Sequence, residues 1–109
     1  MPTVYKTLGQ SNPSATTATT LYTVPSSTST VLSTLTVCNQ ASTAATFRIA
    51  VRPAGASLTT SQYIAYDTPI AANDTIALTL GITLATTDVV TIYASSANMS
   101  FSAFGSEIS

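Results

Sequence analysis

The chain has 109 residues, with three basic and four acidic side chains, no histidine, one cysteine and a formal net charge of -1. Only 6% of its residues are charged, against roughly a quarter in an average soluble protein, while Ser and Thr make up about a third. Such a balance removes the electrostatic drive for nucleic-acid binding, the histidine-based triads, the common zinc ligand sets and any intramolecular disulfide.

A chain of this length fits one domain, whose thin core a partner can supplement. Its hydroxyl-rich, weakly charged surface has little repulsion to keep copies apart, which points to a subunit covered in an assembly. The opening MPTVYKTLGQ lacks the apolar core of a signal peptide. No run approaches the roughly 18 apolar residues of a membrane-spanning helix. A soluble, unsecreted chain with no membrane partner is therefore expected.

In chain order, a first short strand is expected at 4–8. The following GQSNPSATTATT, at 9–20, is the least core-like stretch. Residues 1–20 thus read as an extended N-terminal arm or a first strand plus loop, and their sparse apolar content favours a free arm crossing to a neighbouring subunit. Residues 21–109 read as the β-sandwich domain. Strands are expected at 20–24 and 30–38, where TVLSTLTV is too rich in β-branched residues for helix but suits a pleated sheet. Cys38 closes that strand and reads as a buried thiol.

The strand expected at 45–52 alternates Phe47, Ile49 and Val51 with Arg48, Ala50 and Arg52. Successive side chains point to opposite faces, so the two arginines lie opposite the core, about 13 Å apart. They either pair with Asp67 or Asp88 on a neighbouring strand or anchor a subunit interface through the fork geometry of Arg. Further strands are expected at 62–66, 75–80, 88–94 and 99–106. These place Ile76, Leu78 and Leu80, then Val90, Ile92 and Ala94, then Met99, Phe101 and Ala103 inward. Tyr93 falls on the second face, and Phe104 is a candidate for burial in a subunit contact or beneath the N-terminal arm. Turns at 24–30, 39–44, 52–57, 67–75 and 84–89 separate the strands through Pro, Asn, Asp and Ser. Eight short strands with turns at this spacing predict an all-β, single-domain antiparallel sandwich, with the jelly roll as one form of it.

Little in the chain carries chemistry. Asp67, Asp74, Asp88 and Glu107 lie in or beside turns or near the chain end, where side-chain caps on backbone N–H groups explain them better than a hydrolytic carboxylate pair. Asp67, Asn73 and Asp74 offer calcium-type oxygens, but their spacing matches no established loop, so an Asx-type turn is expected and no metal or cofactor. Four scattered glycines make no phosphate-cradling loop. Tyr63, Tyr66 and Tyr93 suit the edge of the core, a carbohydrate platform or an interface anchor.

LYTVP at 21–25, VCN at 37–39, FRIAVRPAG at 47–55 and YIAYDTPIAANDT at 63–75 form a pattern spanning residues 21–108. The pattern resembles small all-β virion structural proteins of tailed bacteriophages, cyanophages among them. The resemblance implies a non-enzymatic virion protein, with capsid cement or decoration first and a tail, neck or baseplate component second. It implies a homo-oligomer, a trimer by the geometry of a threefold junction, and major capsid or tail proteins as partners. It transfers no catalytic residue. Arg48, Arg52, Tyr93 and Phe104 are the candidate interface residues. A carbohydrate- or host-surface-binding module is the rival from another class, marked by exposed aromatics beside a cleft.

Overall fold

The computed structural model describes residues 2–109, apart from the side chain of Leu80. Eight strands follow one another: β1 (Thr3–Ser11), β2 (Thr19–Thr23), β3 (Ser29–Asn39), β4 (Ala45–Arg52), β5 (Tyr63–Ile70), β6 (Thr75–Leu84), β7 (Val89–Ala94) and β8 (Met99–Ile108). Two single-turn 3-10 segments, Pro53–Gly55 and Thr60–Gln62, interrupt the β4–β5 connection. One antiparallel sheet has the order β1-β8-β3-β6 and the other β2-β7-β4-β5. Partners in both sheets are thus mostly non-consecutive, with successive strands alternating between sheets as far as β4. This double Greek-key order is that of a jelly roll.

Alternation builds the core. Phe47 and Ile49 of β4, Val90, Ile92 and Ala94 of β7, and Met99, Phe101 and Ala103 of β8 are all buried between the sheets, as the period-two reading expected. Phe47 and Phe101 meet across the sandwich edge to face, with ring centroids 6.3 Å apart. Ile76 and Leu78 are half-buried and pack against the same cluster; the expectation for the Leu80 side chain lies outside the described residues.

Strict alternation fails in β3, where Leu32 and Leu35 are both fully buried although three residues apart. The register resolves this: Leu32 pairs with Gly105 and Thr34 with Phe104, so Ser33 is an extra residue that returns Leu35 to the core face. A matching irregularity shifts β6, where Ile82 opposes Leu32 and Thr79 opposes Thr34, and Gly81 adopts φ +60 there. Leu8 is likewise bulged in β1 and buried.

Several expectations are corrected. Of the two alternatives for the N-terminal stretch, the described residues 2–20 take the first strand plus loop rather than a free arm: Thr3–Ser11 pairs with β8 of the same chain, from Thr3 opposite Ile108 to Ser11 opposite Phe101. Cys38 is half-buried rather than a core thiol, because it alternates with the buried Val37 and Asn39 and so faces outward. The segment 67–70, expected as turn, continues β5. Pro69 is tolerated because β5 is an edge strand, and Asp67 takes φ +47 within a bulged register instead of ending the strand.

Buried polar groups tie down the loops. Asn39 is fully buried; its Nδ2 donates to the carbonyls of Thr43 and Ala71, and its Oδ1 accepts from the Ala41 N–H. Asp88 accepts from the N–H groups of Ala54 and Ala85, joining the β4–β5 and β6–β7 connections. The expectation that Asp88 pairs with an arginine gives way to this backbone role.

Candidate functional site

Two sheet faces look outward, and they differ in chemistry. On the β2-β7-β4-β5 sheet, Arg48 is opposite Tyr93, Ala50 opposite Thr91 and Arg52 opposite Val89. Arg48 donates from Nε to Asp67 Oδ1 at 2.6 Å and from Nη2 to Asp67 Oδ2 at 3.3 Å. Its guanidinium carbon lies 4.2 Å from the Tyr66 ring centroid and 4.3 Å from that of Tyr93. A planar, weakly hydrated cation suits this double stacking, which an ammonium would fill poorly. Donation to the Asp67 carboxylate raises the Arg48 pKa above its already high ordinary value, so the group is a fixed charge.

Arg52 does something else. Its Nε and Nη2 donate to the carbonyls of Ala56 and Gly55, and its Nη1 to the Thr91 hydroxyl. The side chain therefore folds the β4–β5 connection back over its own sheet, which explains why Ala50 and Thr91 are buried on an outward face. The two arginines on one strand face thus part company, Arg48 in an aromatic and carboxylate setting and Arg52 on loop carbonyls.

Tyr63 and Tyr66 of β5 meet edge to face, with centroids 4.9 Å apart and planes at 79°. Together with Thr60 they line an open concavity of about 470 Å³. Tyr66 is 56% exposed.

The β1-β8-β3-β6 face is built differently. Cross-strand rows run Tyr5, Ser106, Val31, Thr83; then Thr7, Phe104, Thr34, Thr79; then Gln10, Ser102, Thr36, Ala77. None of these twelve positions is charged. Tyr5 and Val31 flank a groove of about 480 Å³ floored by Phe104 and Gly105. Phe104 is half-buried, Tyr5 is 84% exposed, and Lys6 at the margin is paired with Glu107 at 3.1 Å. The structure therefore places Phe104 on the opposite sheet from Arg48, Arg52 and Tyr93, and the four candidate interface residues do not form one patch.

Sequence reasoning missed a third arrangement, at one end of the sandwich. Tyr22 of β2 is buried and reaches across to the other sheet, donating to Glu107 Oε2 and sharing a 2.8 Å hydrogen bond with the Thr30 hydroxyl. Burial, then the bond to Glu107, raises the Tyr22 pKa to about 12. The same bond, aided by Lys6, holds Glu107 below the usual carboxylate range. No periodicity links residues 85 apart in sequence, so only the fold brings them together.

The acids are dispersed. Asp67 meets Arg48, Asp74 bonds the next backbone N–H, Asp88 bridges two connections and Glu107 joins Tyr22. Neither of the two concavities described is lined by a carboxylate. Among the described residues, no three His, Cys, Asp or Glu side chains gather as a metal site.

No family model and no curated protein matches the chain. Among solved structures, the chain is similar to one from a structure of infectious bursal disease virus, Gx strain, with a TM-score of 0.54 and 16% identity. The match covers 97% of this chain and 31% of that one, so this chain spans about a third of the length of the viral chain. At this identity the likeness is one of fold.

Proposed function

We propose that the chain is a non-enzymatic structural subunit of a virus particle, acting as a cement or decoration protein on the capsid of a tailed bacteriophage. The observation that carries this reading is the uncharged outer face of the β1-β8-β3-β6 sheet. Four strands about 4.8 Å apart, 9 to 11 residues long, present roughly 570–700 Å² at about 3.3 Å per residue. That approaches the ~800 Å² each partner contributes to a standard interface. A face whose central rows are uncharged, with Lys6 and its partner Glu107 kept to one margin, can be covered at little electrostatic cost. The jelly-roll fold, shared with a chain of a virus structure, agrees with this reading; the tailed-phage assignment rests on the sequence resemblance of residues 21–108 alone.

The mechanism is linkage. A subunit that binds the assembled shell but not its dissociated parts shifts the equilibrium toward the particle. Copies pack against one another, as a trimer at a threefold junction, and against the major capsid protein through the Tyr5–Phe104 groove. Electron cryomicroscopy of the source particle tests this. Many copies over the shell, with Phe104 at a subunit junction, is the expected result. A few copies on the tail axis would make the chain a tail, neck or baseplate part, and absence from the particle would end the reading.

A further inference from the structure

The proposed assembly face leaves the opposite side of the molecule unexplained, where β5 forms an exposed edge strand. Tyr66 stands 56% exposed there although a strand edge is costly ground for a bare aromatic ring. The ring is also held. One contact is the Arg48 guanidinium, itself fixed by Asp67. The other is the edge-to-face contact with Tyr63. A rigid aromatic surface loses little conformational freedom when a ligand stacks on it.

We propose that the concavity bounded by Thr60, Tyr63 and Tyr66 binds a neutral saccharide. Its volume of about 470 Å³ lies within the roughly 300–1,000 Å³ range of small-molecule sites. Two rings at 79° offer two walls of a corner, against which the C–H face of a pyranose packs. Hydroxyl recognition comes from the lining itself: the Thr60 hydroxyl and the two phenol groups, each able to donate and to accept. The charge state selects the class. Arg48 and Asp67 cancel, so the site presents no net charge to attract an acidic sugar or phosphate. Because the site lies on the sheet opposite the Tyr5–Phe104 groove, the inference stands or falls independently of the assembly role.

The test is titration of the ¹⁵N-labelled chain with methyl glucoside, methyl galactoside and methyl mannoside, with glucuronate as the charged control, followed by amide chemical shifts. At least one neutral glycoside is expected to give saturable shifts centred on Thr60, Tyr63 and Tyr66, with a Kd on the order of 1 mM. Tyr66→Ala is expected to weaken binding about tenfold or more, while Tyr66→Phe, which keeps the stacking surface, stays within about twofold. Thr60→Arg, which fills the concavity from its exposed rim, abolishes the shifts and serves if Tyr66→Ala disturbs the fold. Absence of saturable shifts with all three glycosides overturns the proposal. So do shifts centred on the Tyr5–Phe104 groove, tighter binding of glucuronate, or a Tyr66→Phe loss as large as that of Tyr66→Ala.

Discussion

Arg48 and Asp67 join β4 to β5 by a fork in which Nε and Nη2 each meet one carboxylate oxygen, at 2.6 and 3.3 Å. The same guanidinium fills the space between Tyr66 and Tyr93, so one residue ties the edge strand β5 to β4 and β7. An exposed ion pair alone contributes little; the stacking and the fork together fix the geometry. Arg48→Lys keeps the charge but loses both. Its melting temperature is expected to fall by about 4 °C, nearly as far as that of Arg48→Ala. The double variant Arg48→Ala/Asp67→Ala should lose less than the sum of the singles, because each single change already breaks the shared contact. Additive losses by calorimetry would show that the pair is not coupled.

Gly105 and Gly81 are required for opposite reasons. A Cβ at Gly105 would lie 2.0 Å from the Val31 carbonyl oxygen, a backbone atom that cannot rotate away. At Gly81 the space is open but φ is +60. Gly105→Ala should therefore cost more than about 3 kcal/mol or prevent folding, while Gly81→Ala costs about 1–2 kcal/mol. Urea unfolding of the two variants measures both, and a Gly105→Ala loss no larger than that of Gly81→Ala would contradict the close approach of β8 to the β3 bulge.

The strands from β3 onward were legible in the sequence because apolar residues recur there with a period of two or in short runs and turn residues interrupt them. The 45–52 strand and its facing arginines follow from alternation alone, and Asp67 was one of two partners that alternation suggested for Arg48. Other features leave no local trace. The Ser33 bulge is visible in TVLSTLTV only as two leucines three apart, and which of them faces the core depends on the register with Gly105 and Phe104. Strand order depends on pairings such as β1 with β8, between opposite ends of the chain. Asp88 capping two connections and Tyr22 reaching Glu107 both arise from that long-range topology. Residues 1–20 misled because Ser, Thr and Ala at 14–20 dilute the apolar signal, although Leu8 anchors β1 from a bulge.

The Tyr22–Glu107 contact predicts a stability profile with two limbs. Glu107 has a folded pKa below its ordinary value of 4.5, so its contribution is present above that value and is lost as pH falls through the folded pKa. Tyr22 is raised from 10.0 to about 12, so its contribution is present below pH 10 and is lost as pH rises toward 12. Glu107→Gln should flatten the acid limb, and Tyr22→Phe should weaken the alkaline one. Denaturant midpoints measured across the pH range check this; an unchanged acid limb in Glu107→Gln would assign the acid sensitivity to other carboxylates.

Asn39 supplies the sharpest test of a buried polar group, because the amide's two chemically different ends are both used by a side chain that is itself fully buried. Nδ2 faces two carbonyl oxygens, those of Thr43 at 2.9 Å and Ala71 at 3.1 Å, while Oδ1 faces the Ala41 N–H at 3.0 Å. Asn39→Ala leaves these three backbone groups unpaired and should cost about 2–4 kcal/mol. Asn39→Asp keeps the shape and the acceptor, but turns the donor end into an oxygen pointed at two carbonyls. Ionised, that carboxylate is a buried charge facing like dipoles, and the loss at neutral pH should exceed that of Asn39→Ala. Protonation restores one donor, so the folded state holds the carboxyl with a raised pKa. The deficit of Asn39→Asp relative to the parent should therefore shrink below the unfolded aspartate pKa and grow as pH rises through the folded value. Parallel urea titrations at acidic and neutral pH measure the difference. A pH-independent deficit would mean that the loops at 40–44 and 71–74 open to let water solvate the new carboxylate.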